Sequence, residues 1–375
     1  NQCEKAISNL EHLSPLENAL GQNAMFLLGQ CYEKSGMKNE ARTAFLQVAR
    51  MNFDKTLQED AWFDYAKLSY ELGFQDIALS ELRKFLSDYP NSTYAVEARE
   101  ILVSLLANTN NFNDALVLYE SFDKPTPTMQ KAYPRILYGR AVELLNDQQI
   151  EKADELLNKV LLLPVSNVTP YANFWKGEIA YRQYKYDDAI KYLSVYLQTN
   201  AGAQGEANPS AARYDIAYSY LKKENYKQAL VYFEQVTKSV SPSSPSMEQD
   251  AYVRSADYYF MTKDFVKANS MYGTIINSAL LQSDYAMFQQ SMIAGIKSSS
   301  DKIRVLNNLI RLYPQSGLIN DANMEIASTY MVDEKFRDAI PYLNALLNAP
   351  NSNGLQPKVL LNLGLCYYNT DNNKE

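Results

Sequence analysis

A short pattern centred on an alanine recurs along the 375 residues, and it constrains the fold more than any other feature. The alanines are Ala6, Ala41, Ala78, Ala115, Ala153, Ala189, Ala229, Ala268 and Ala339. Successive alanines are 35, 37, 37, 38, 36, 40 and 39 residues apart, and the last gap of 71 residues corresponds to two periods. A mean period of 37 residues predicts a repeat architecture in which each unit is stable only against its neighbours.

The residues around each alanine predict a pair of helices. The positions four and seven residues after each alanine are apolar or aromatic in every copy, as at Phe45 and Val48 after Ala41. Such a stripe lies on one face of an α-helix. Twelve residues before the alanine, a Gly, an Ala or, in one copy, Val103 lies in a segment with its own apolar stripe. We therefore expect hairpins of a first helix A and a second helix B. The fold class is all-α, with about nine hairpins and a partial repeat at each end.

The sequence resembles the tetratricopeptide repeat family. The family's L-G-x2-Y and A-x3-F spacings occur as Leu28-Gly29-x2-Tyr32 followed by Ala41-x3-Phe45, and the resemblance covers the whole chain. It implies an α-α superhelix. The sequence departs from the family in its 37-residue period, in a poor repeat at 103–122 and in another at 287–314, where Lys302 replaces the alanine. The overall pattern is similar to that of long bacterial tetratricopeptide proteins of the cell envelope.

The pattern indicates one solenoid over residues 1–375. Clusters rich in Gly, Ser and Pro near 123–130, 199–210 and 239–246 are interpreted as longer loops at which the array can pivot. The first repeat lacks helix A and the last lacks helix B, which suggests a piece of a longer protein. We expect the stripes Ile7/Leu10/Leu13 and Leu360/Leu363/Tyr367 to be exposed, and contacts with partners to form through these uncapped ends.

Composition and motifs exclude several function classes. The net charge of −7 comes without a basic stripe, so we expect no nucleic-acid partner. No apolar run approaches the roughly 18 residues needed to cross a bilayer, so we expect no membrane insertion. The single histidine, His12, cannot build a histidine metal cluster, and the phosphate-binding and catalytic motifs searched for are missing from the sequence. We therefore predict no enzymatic activity, cofactor or metal. Cys31 and Cys366 occupy the same repeat position, which favours a packing role.

Helix A of a tetratricopeptide repeat usually lines the concave face, so the resemblance implies a groove for a protein or peptide. Mapped by register, the predicted partner-binding residues are Tyr138, Tyr171, Phe174, Tyr181, Arg182, Tyr214 and Tyr218. Tyr and Arg are favoured interface anchors. The alternative is that these side chains pack between neighbouring repeats.

The favoured function is a scaffold that holds a partner segment along this groove, in a bacterial envelope assembly located in the periplasm or cell envelope. A glycan-binding or glycan-uptake accessory is one alternative. Helical support for an enzyme domain outside these residues is another.

Overall fold

A computed structural model describes residues 2–349 and 354–370, and every regular element in these residues is an α-helix. The helices are α1 Gln2–Leu13, α2 Ala19–Lys34, α3 Lys38–Arg50, α4 Lys55–Glu71, α5 Gln75–Asp88, α6 Ala95–Asn108, α7 Phe112–Glu120, α8 Pro127–Asn146, α9 Ile150–Leu162, α10 Thr169–Arg182, α11 Tyr186–Gln198, α12 Pro209–Lys222, α13 Tyr226–Val236, α14 Ser246–Met261, α15 Phe265–Asn277, α16 Ser283–Gly295, α17 Ser299–Leu312, α18 Ile319–Val332, α19 Phe336–Leu347 and α20 Gln356–Asn369. From α2 to α19 the even-numbered helices are A and the odd-numbered are B, which confirms nine hairpins. Helix α1 is a B helix and α20 an A helix.

Local sequence signals set the ends of many helices. Asp54 caps α4 by accepting hydrogen bonds from the backbone N–H groups of Thr56 and Leu57. Acidic residues lie in the first turn of several B helices, as predicted, where the helix dipole favours negative charge. Helices α5, α9 and α17 each end two residues before a proline. The spacing of the prolines in the sequence also predicts that a B helix ends near Pro350, a position outside the described residues.

Burial confirms the repeat register. Every repeat alanine from Ala41 onward is almost completely buried, and so are the two apolar positions after it in nearly all hairpins. The glycines show why small residues are needed: a Cβ at Gly177 would lie 2.5 Å from Leu193 Cγ. The prediction is wrong at Phe122, which follows the end of α7 at Glu120 instead of lying on its buried face.

The degenerate repeat still forms a hairpin, from α16 and α17. Lys302 replaces the alanine, and the close approach is provided by Gly295, where a Cβ would lie 2.8 Å from Lys302 Cδ. The Lys302 ammonium reaches Glu325 at 2.6 Å, while Leu306 and Leu309 supply the buried stripe. The lysine stem therefore packs where the alanine would have been, and its charge lies beyond the helix contact.

The A-to-B turns share one backbone feature. In eight hairpins the residue five positions before the alanine has positive φ, and in two of them this residue is a glycine. The eight residues are Gly36, Gly73, Asn110, Gln148, Tyr184, Glu224, Lys263 and Glu334. The left-handed conformation costs a non-glycine residue roughly 1–2 kcal/mol. Six of these turns therefore keep a less favourable residue at the position that terminates helix A.

The chain divides into two compact units, one up to Lys176 and one from Gly177. The boundary lies inside α10 and outside the three ranges predicted as flexible. Within those ranges, α8, α12 and α14 begin at Pro127, Pro209 and Ser246. The second range is also tied to α11, because the Tyr196 hydroxyl donates to the carbonyl of Ala207 at 3.3 Å. Pivoting at these loops stays a prediction.

The terminal stripes are only partly exposed. Ile7 and Leu10 pack against the core of α2 to α4, whereas Leu13 is exposed. Leu360 is exposed, but the prediction is wrong for Leu363, which is buried in the α18–α20 cluster.

Candidate partner-binding surface

The predicted site residues of the first unit mostly pack inside it. Tyr138 and Phe174 are buried, as the packing alternative would have them, and their contact with a partner stays a prediction. The indole N–H of Trp175 donates to the Tyr138 hydroxyl at 3.3 Å. Tyr171 is half-buried, with its ring 6.3 Å from that of Tyr138. The outward-facing sides of α8 and the start of α10 therefore offer few of the aromatic side chains that the sequence suggested.

The predicted residues of the second unit are more accessible. The Arg182 side chain is 59% exposed, and its Nε donates to Glu178 at 2.8 Å. Tyr181, Tyr214 and Tyr218 are half-buried. The rings of Tyr214 and Tyr218 are 4.8 Å apart, and both lie on α12. These four residues remain candidates for partner contact.

A network of charged residues on α14, which the sequence did not single out, lies beside the two α12 tyrosines. Tyr214 and Tyr218 both donate to Asp250 Oδ2, at 2.9 and 2.5 Å. Arg254 lies one turn later and donates to Asp250 Oδ1 at 3.2 Å and to Asp257 Oδ2 at 2.5 Å. The i, i+4, i+7 spacing of residues 250, 254 and 257 was the sequence signal for this network. It was not recognised, because charged residues at this spacing usually indicate a solvent-exposed helix face.

The same network extends to α16. Asp257 Oδ1 accepts hydrogen bonds from the hydroxyls of Tyr272 and Tyr285, at 2.7 and 3.0 Å. Gln282, at the start of α16, donates to Asp250 Oδ1 and accepts from Arg254 Nη2. We call Tyr214, Tyr218, Asp250, Arg254, Asp257, Tyr272, Gln282 and Tyr285 the α14 network. It links three successive A helices and the B helix between α14 and α16.

Hydrogen bonding allows these charges to be buried. Burial alone would raise the pKa of Asp250, but hydrogen bonds from Tyr218 and Gln282 and the charge of Arg254 lower it below its usual value. Asp257 behaves differently, because burial raises its pKa more than its hydrogen bonds and Arg254 lower it. The arginine is therefore the central partner of two unequal carboxylates. Removing it would leave both carboxylates without their charge partner.

A second carboxylate pair lies on α10 and α12. Burial, together with a hydrogen bond to Glu178 and repulsion from its charge, raises the pKa of Asp215 to about 9, while Arg182 partly opposes the shift. Asp215 is therefore neutral at pH 7 and can share a proton with Glu178.

A cavity of about 150 Å³ lies between the α12–α13 hairpin and α14. It is lined by Leu221, Tyr226, Ala229, Leu230, Phe233, Arg254, Asp257, Tyr258 and Met261. Small-molecule sites usually measure about 300–1,000 Å³, so this cavity is sized for a single side chain. Since Arg254 and Asp257 are already bonded to each other, the group that fits is apolar. We call this cavity the α13–α14 pocket.

Among the described residues, no group of three or more His, Cys, Asp and Glu side chains is arranged to hold a metal ion. None of the helices in residues 2–349 and 354–370 combines the length and the apolar character needed to span a membrane.

No curated protein matches the chain. Solved structures do, at low identity. The C-terminal part of a TPR repeat-containing protein from Cytophaga hutchinsonii is 14% identical, covers 69% of this chain and 98% of its own, and gives a TM-score of 0.44. Pseudomonas aeruginosa pilF is 17% identical over 64% of this chain and 97% of its own, with a TM-score of 0.38. The human IFIT1 dimer with m7Gppp-AAAA is 14% identical over 94% and 89%, with a TM-score of 0.38. At these values the likeness carries no argument about partner or function.

The tetratricopeptide repeat family models match at four segments: residues 23–51, 60–92, 138–209 and 210–239. These segments cover hairpins in both units, and the last two include α12 and α13, which line the pocket. The matched residues also contain the buried alanines Ala41, Ala78, Ala153, Ala189 and Ala229. These four segments are therefore similar to tetratricopeptide repeats.

Proposed function

We propose that the chain is a non-catalytic scaffold that binds a protein segment on the second unit, with an apolar side chain of the partner in the α13–α14 pocket. The observation that carries this proposal is the pocket itself, which is lined mainly by apolar and aromatic residues and bounded by a fully bonded ion pair. Tetratricopeptide proteins generally act as interaction scaffolds, which agrees with a binding role.

The lining explains what the pocket selects. Leu221, Leu230 and Met261 offer apolar contact, and Tyr226 and Tyr258 add rings with hydroxyls able to bond a partner backbone. Interface energy concentrates in such apolar or aromatic anchors within a desolvated pocket. A charged anchor would have to compete with the Arg254–Asp257 pair, so an aliphatic or aromatic anchor is favoured.

The α14 network favours tight binding in a second way. It fixes α14 against α12 and the start of α16 through hydrogen bonds of 2.5–3.0 Å, so one wall of the pocket is already ordered. Binding to an ordered site avoids the cost of immobilising side chains on association. The Tyr214 and Tyr218 predicted from the sequence then act through Asp250 and α14 as well as by direct contact.

The charges of this surface favour protein over nucleic acid. With Asp215 neutral, the carboxyl groups of Glu178, Asp250 and Asp257 accompany the guanidinium groups of Arg182 and Arg254, so these residues carry no basic surplus. A phosphate backbone needs a basic surplus. Binding of a single-stranded oligonucleotide at physiological salt is the direct measurement of this alternative.

Site-specific photo-cross-linking tests the pocket. A photoreactive amino acid at Met261, which lines the pocket and is 53% exposed, is expected to capture a discrete partner in the native cells. Val332 is the control position, because it is 82% exposed in the same unit and does not line the pocket. Equal adducts at both positions, or none at Met261, would contradict the proposal.

A pocket-filling variant gives a second test with the same probe. Leu230→Trp should fill the cavity and abolish the adduct at Met261, whereas Val332→Trp, which introduces the same residue at an exposed site, should leave it intact. Melting curves of both variants establish that they fold. Binding that survives Leu230→Trp would place the partner elsewhere.

As the sequence suggested, we also propose that the chain works in an envelope assembly, in the periplasm or cell envelope. Fractionation of the native cells measures it directly. The glycan-binding alternative predicts retention on a glycan array, and helical support for an enzyme predicts a catalytic domain elsewhere in the parent sequence.

A further inference from the structure

The first two helices bring two cysteines together. Cys3 lies on α1 and Cys31 on α2, and both are free thiols with partial solvent exposure. The third cysteine, Cys366, is free and buried. Two accessible thiols on adjacent helices can react with each other, which a single buried thiol cannot do.

The packing of α1 on α2 explains why the two thiols meet. The helices are joined by the turn at 14–18 and run back along one another. Ile7 of α1 packs on the cluster that contains Leu28 of α2. Cys3 lies one turn before Ile7 and Cys31 nearly one turn after Leu28, so antiparallel packing places them opposite each other. Cys3 is close enough to Cys31 to raise the pKa of its thiol.

A contact between other residues fixes the same pair of helices. The hydroxyl of Tyr32, next to Cys31, donates to Glu11 Oε1 of α1 at 2.9 Å. This bond joins the end of α2 that carries Cys31 to the last turn of α1, so it ties the two helices together. A disulfide needs its two Cβ atoms about 3.5–4.5 Å apart, and neighbouring thiols on opposed helices can reach this distance with little backbone movement.

Cys366 is the internal comparison. It occupies the same repeat position on α20 that Cys31 occupies on α2, and it is buried in the α18–α20 cluster. Although Cys31 and Cys366 share a repeat position, Cys31 has a second thiol near it. The shared position therefore does not show that Cys31 only packs.

The two thiols are not equivalent as nucleophiles. The hydrogen bond with Cys3, then burial and the Cys3 charge, raise the pKa of the Cys31 thiol, and Lys34 only partly opposes this. Cys31 is therefore largely protonated near neutral pH. A first attack by Cys31 is therefore disfavoured, since the thiolate is the reactive form.

We propose that Cys3 and Cys31 form a dithiol modification site that a low-molecular-weight disulfide converts into an intramolecular disulfide joining α1 to α2. The Cys3 thiolate attacks the small disulfide, forming a mixed disulfide and releasing one small thiol. Cys31 then gives up its proton and attacks the Cys3 sulfur, which releases the second small thiol. The protein loses two electrons and two protons, and the reagent gains them as two thiols.

The cross-link would close the end of the hairpin opposite the turn. In the reduced chain α1 is held at that end by side-chain contacts, and local opening of the helix exposes its amides to exchange. Oxidation is therefore expected to slow amide exchange in α1 while leaving the second unit unchanged.

The test uses the full chain with glutathione disulfide under native conditions. The number of free thiols should fall from three to one, with an intact mass reduced by two hydrogen atoms and slower exchange in α1. Cys366→Ser should still form the cross-link, whereas Cys3→Ser and Cys31→Ser should stop at a mixed disulfide with glutathione. Any of three results would overturn the proposal. The chain without substitutions could give nothing beyond mixed disulfides, it could form disulfide-linked dimers, or it could form the cross-link only after denaturation.

Discussion

Replacing Gly29 by alanine is expected to destabilise the chain, whereas the same replacement at Gly364 is expected to stabilise it. The two glycines occupy one repeat position, on the A helices α2 and α20. A Cβ at Gly29 would lie 2.8 Å from Phe45 Cε1 and 3.0 Å from its Cδ1. A Cβ at Gly364 would have no neighbour within 4 Å. The sign of the effect therefore depends on whether a helix B side chain packs against the glycine.

The expected change in stability has two contributions, one common to both glycines and one specific to Gly29. In a helix interior alanine is favoured over glycine by about 1 kcal/mol, and this applies at both sites. Overpacking a filled core costs about 1–3 kcal/mol, and it applies only at Gly29 because Phe45 is fully buried and has to shift. We expect a net change at Gly29 between neutral and a loss of about 2 kcal/mol, and a gain of about 1 kcal/mol at Gly364. The difference between the two isolates the packing term.

Native-state hydrogen exchange is the appropriate assay, because a repeat array with two units need not unfold in one step. Amides of α2 and α3 report on Gly29→Ala, and amides of α20 report on Gly364→Ala. Phe45→Leu combined with Gly29→Ala supplies the control, since a smaller partner should recover much of the loss. Equal stabilisation by both single changes would refute the packing argument.

Three further predictions concern the second unit. Because the folded chain favours the neutral form of Asp215, with a pKa raised to about 9, its contribution to stability is full below about pH 4 and is lost as the pH rises towards 9. Thermal melts should show that Asp215→Asn flattens this fall, and an unchanged pH profile would contradict the shift. Arg254→Met should destabilise the unit by about 3–5 kcal/mol in urea unfolding, because two buried carboxylates lose their charge partner; a loss below 1 kcal/mol would show that the α14 network does not depend on it. Glu224→Gly should stabilise the α12–α13 turn by up to about 1 kcal/mol, because Glu224 has φ 58°, and a lower unfolding midpoint would argue against strain there.

The hairpins could be predicted because their contacts are local. Each alanine meets the preceding helix A through residues about twelve positions earlier, so a single period carries the information. The degenerate hairpin shows the limit: Gly295 compensates for Lys302 at another position of helix A, which a fixed register does not find. Phe122 shows a second limit, since α7 stops at Glu120 and leaves the expected stripe incomplete.

The candidate partner-binding surface was harder to predict because each helix A packs against neighbouring helices on several sides. Register places Phe174 and Tyr181 on the same helix, but only contacts with neighbouring helices decide that the first is buried and the second half-exposed. The α14 network was missed for a related reason. Apart from the bonds of Arg254 inside α14, its bonds join residues 15 to 36 positions apart, such as Tyr214 and Asp250. Charges that suggest a solvated face are in fact partners of tyrosines on neighbouring helices.

The α13–α14 pocket and the α14 network share Arg254 and Asp257, which makes binding and hairpin stacking interdependent. The pair presents carbon surface and an already satisfied ion pair to the pocket, while its outer bonds hold α14 to α16. A partner that fills the pocket excludes water from this pair and strengthens its attraction, because charges interact more strongly at lower dielectric. Binding should therefore slow amide exchange in α16 as well as in α13 and α14, although α16 does not line the pocket. Protection confined to the pocket helices would mean that the network is only a structural support.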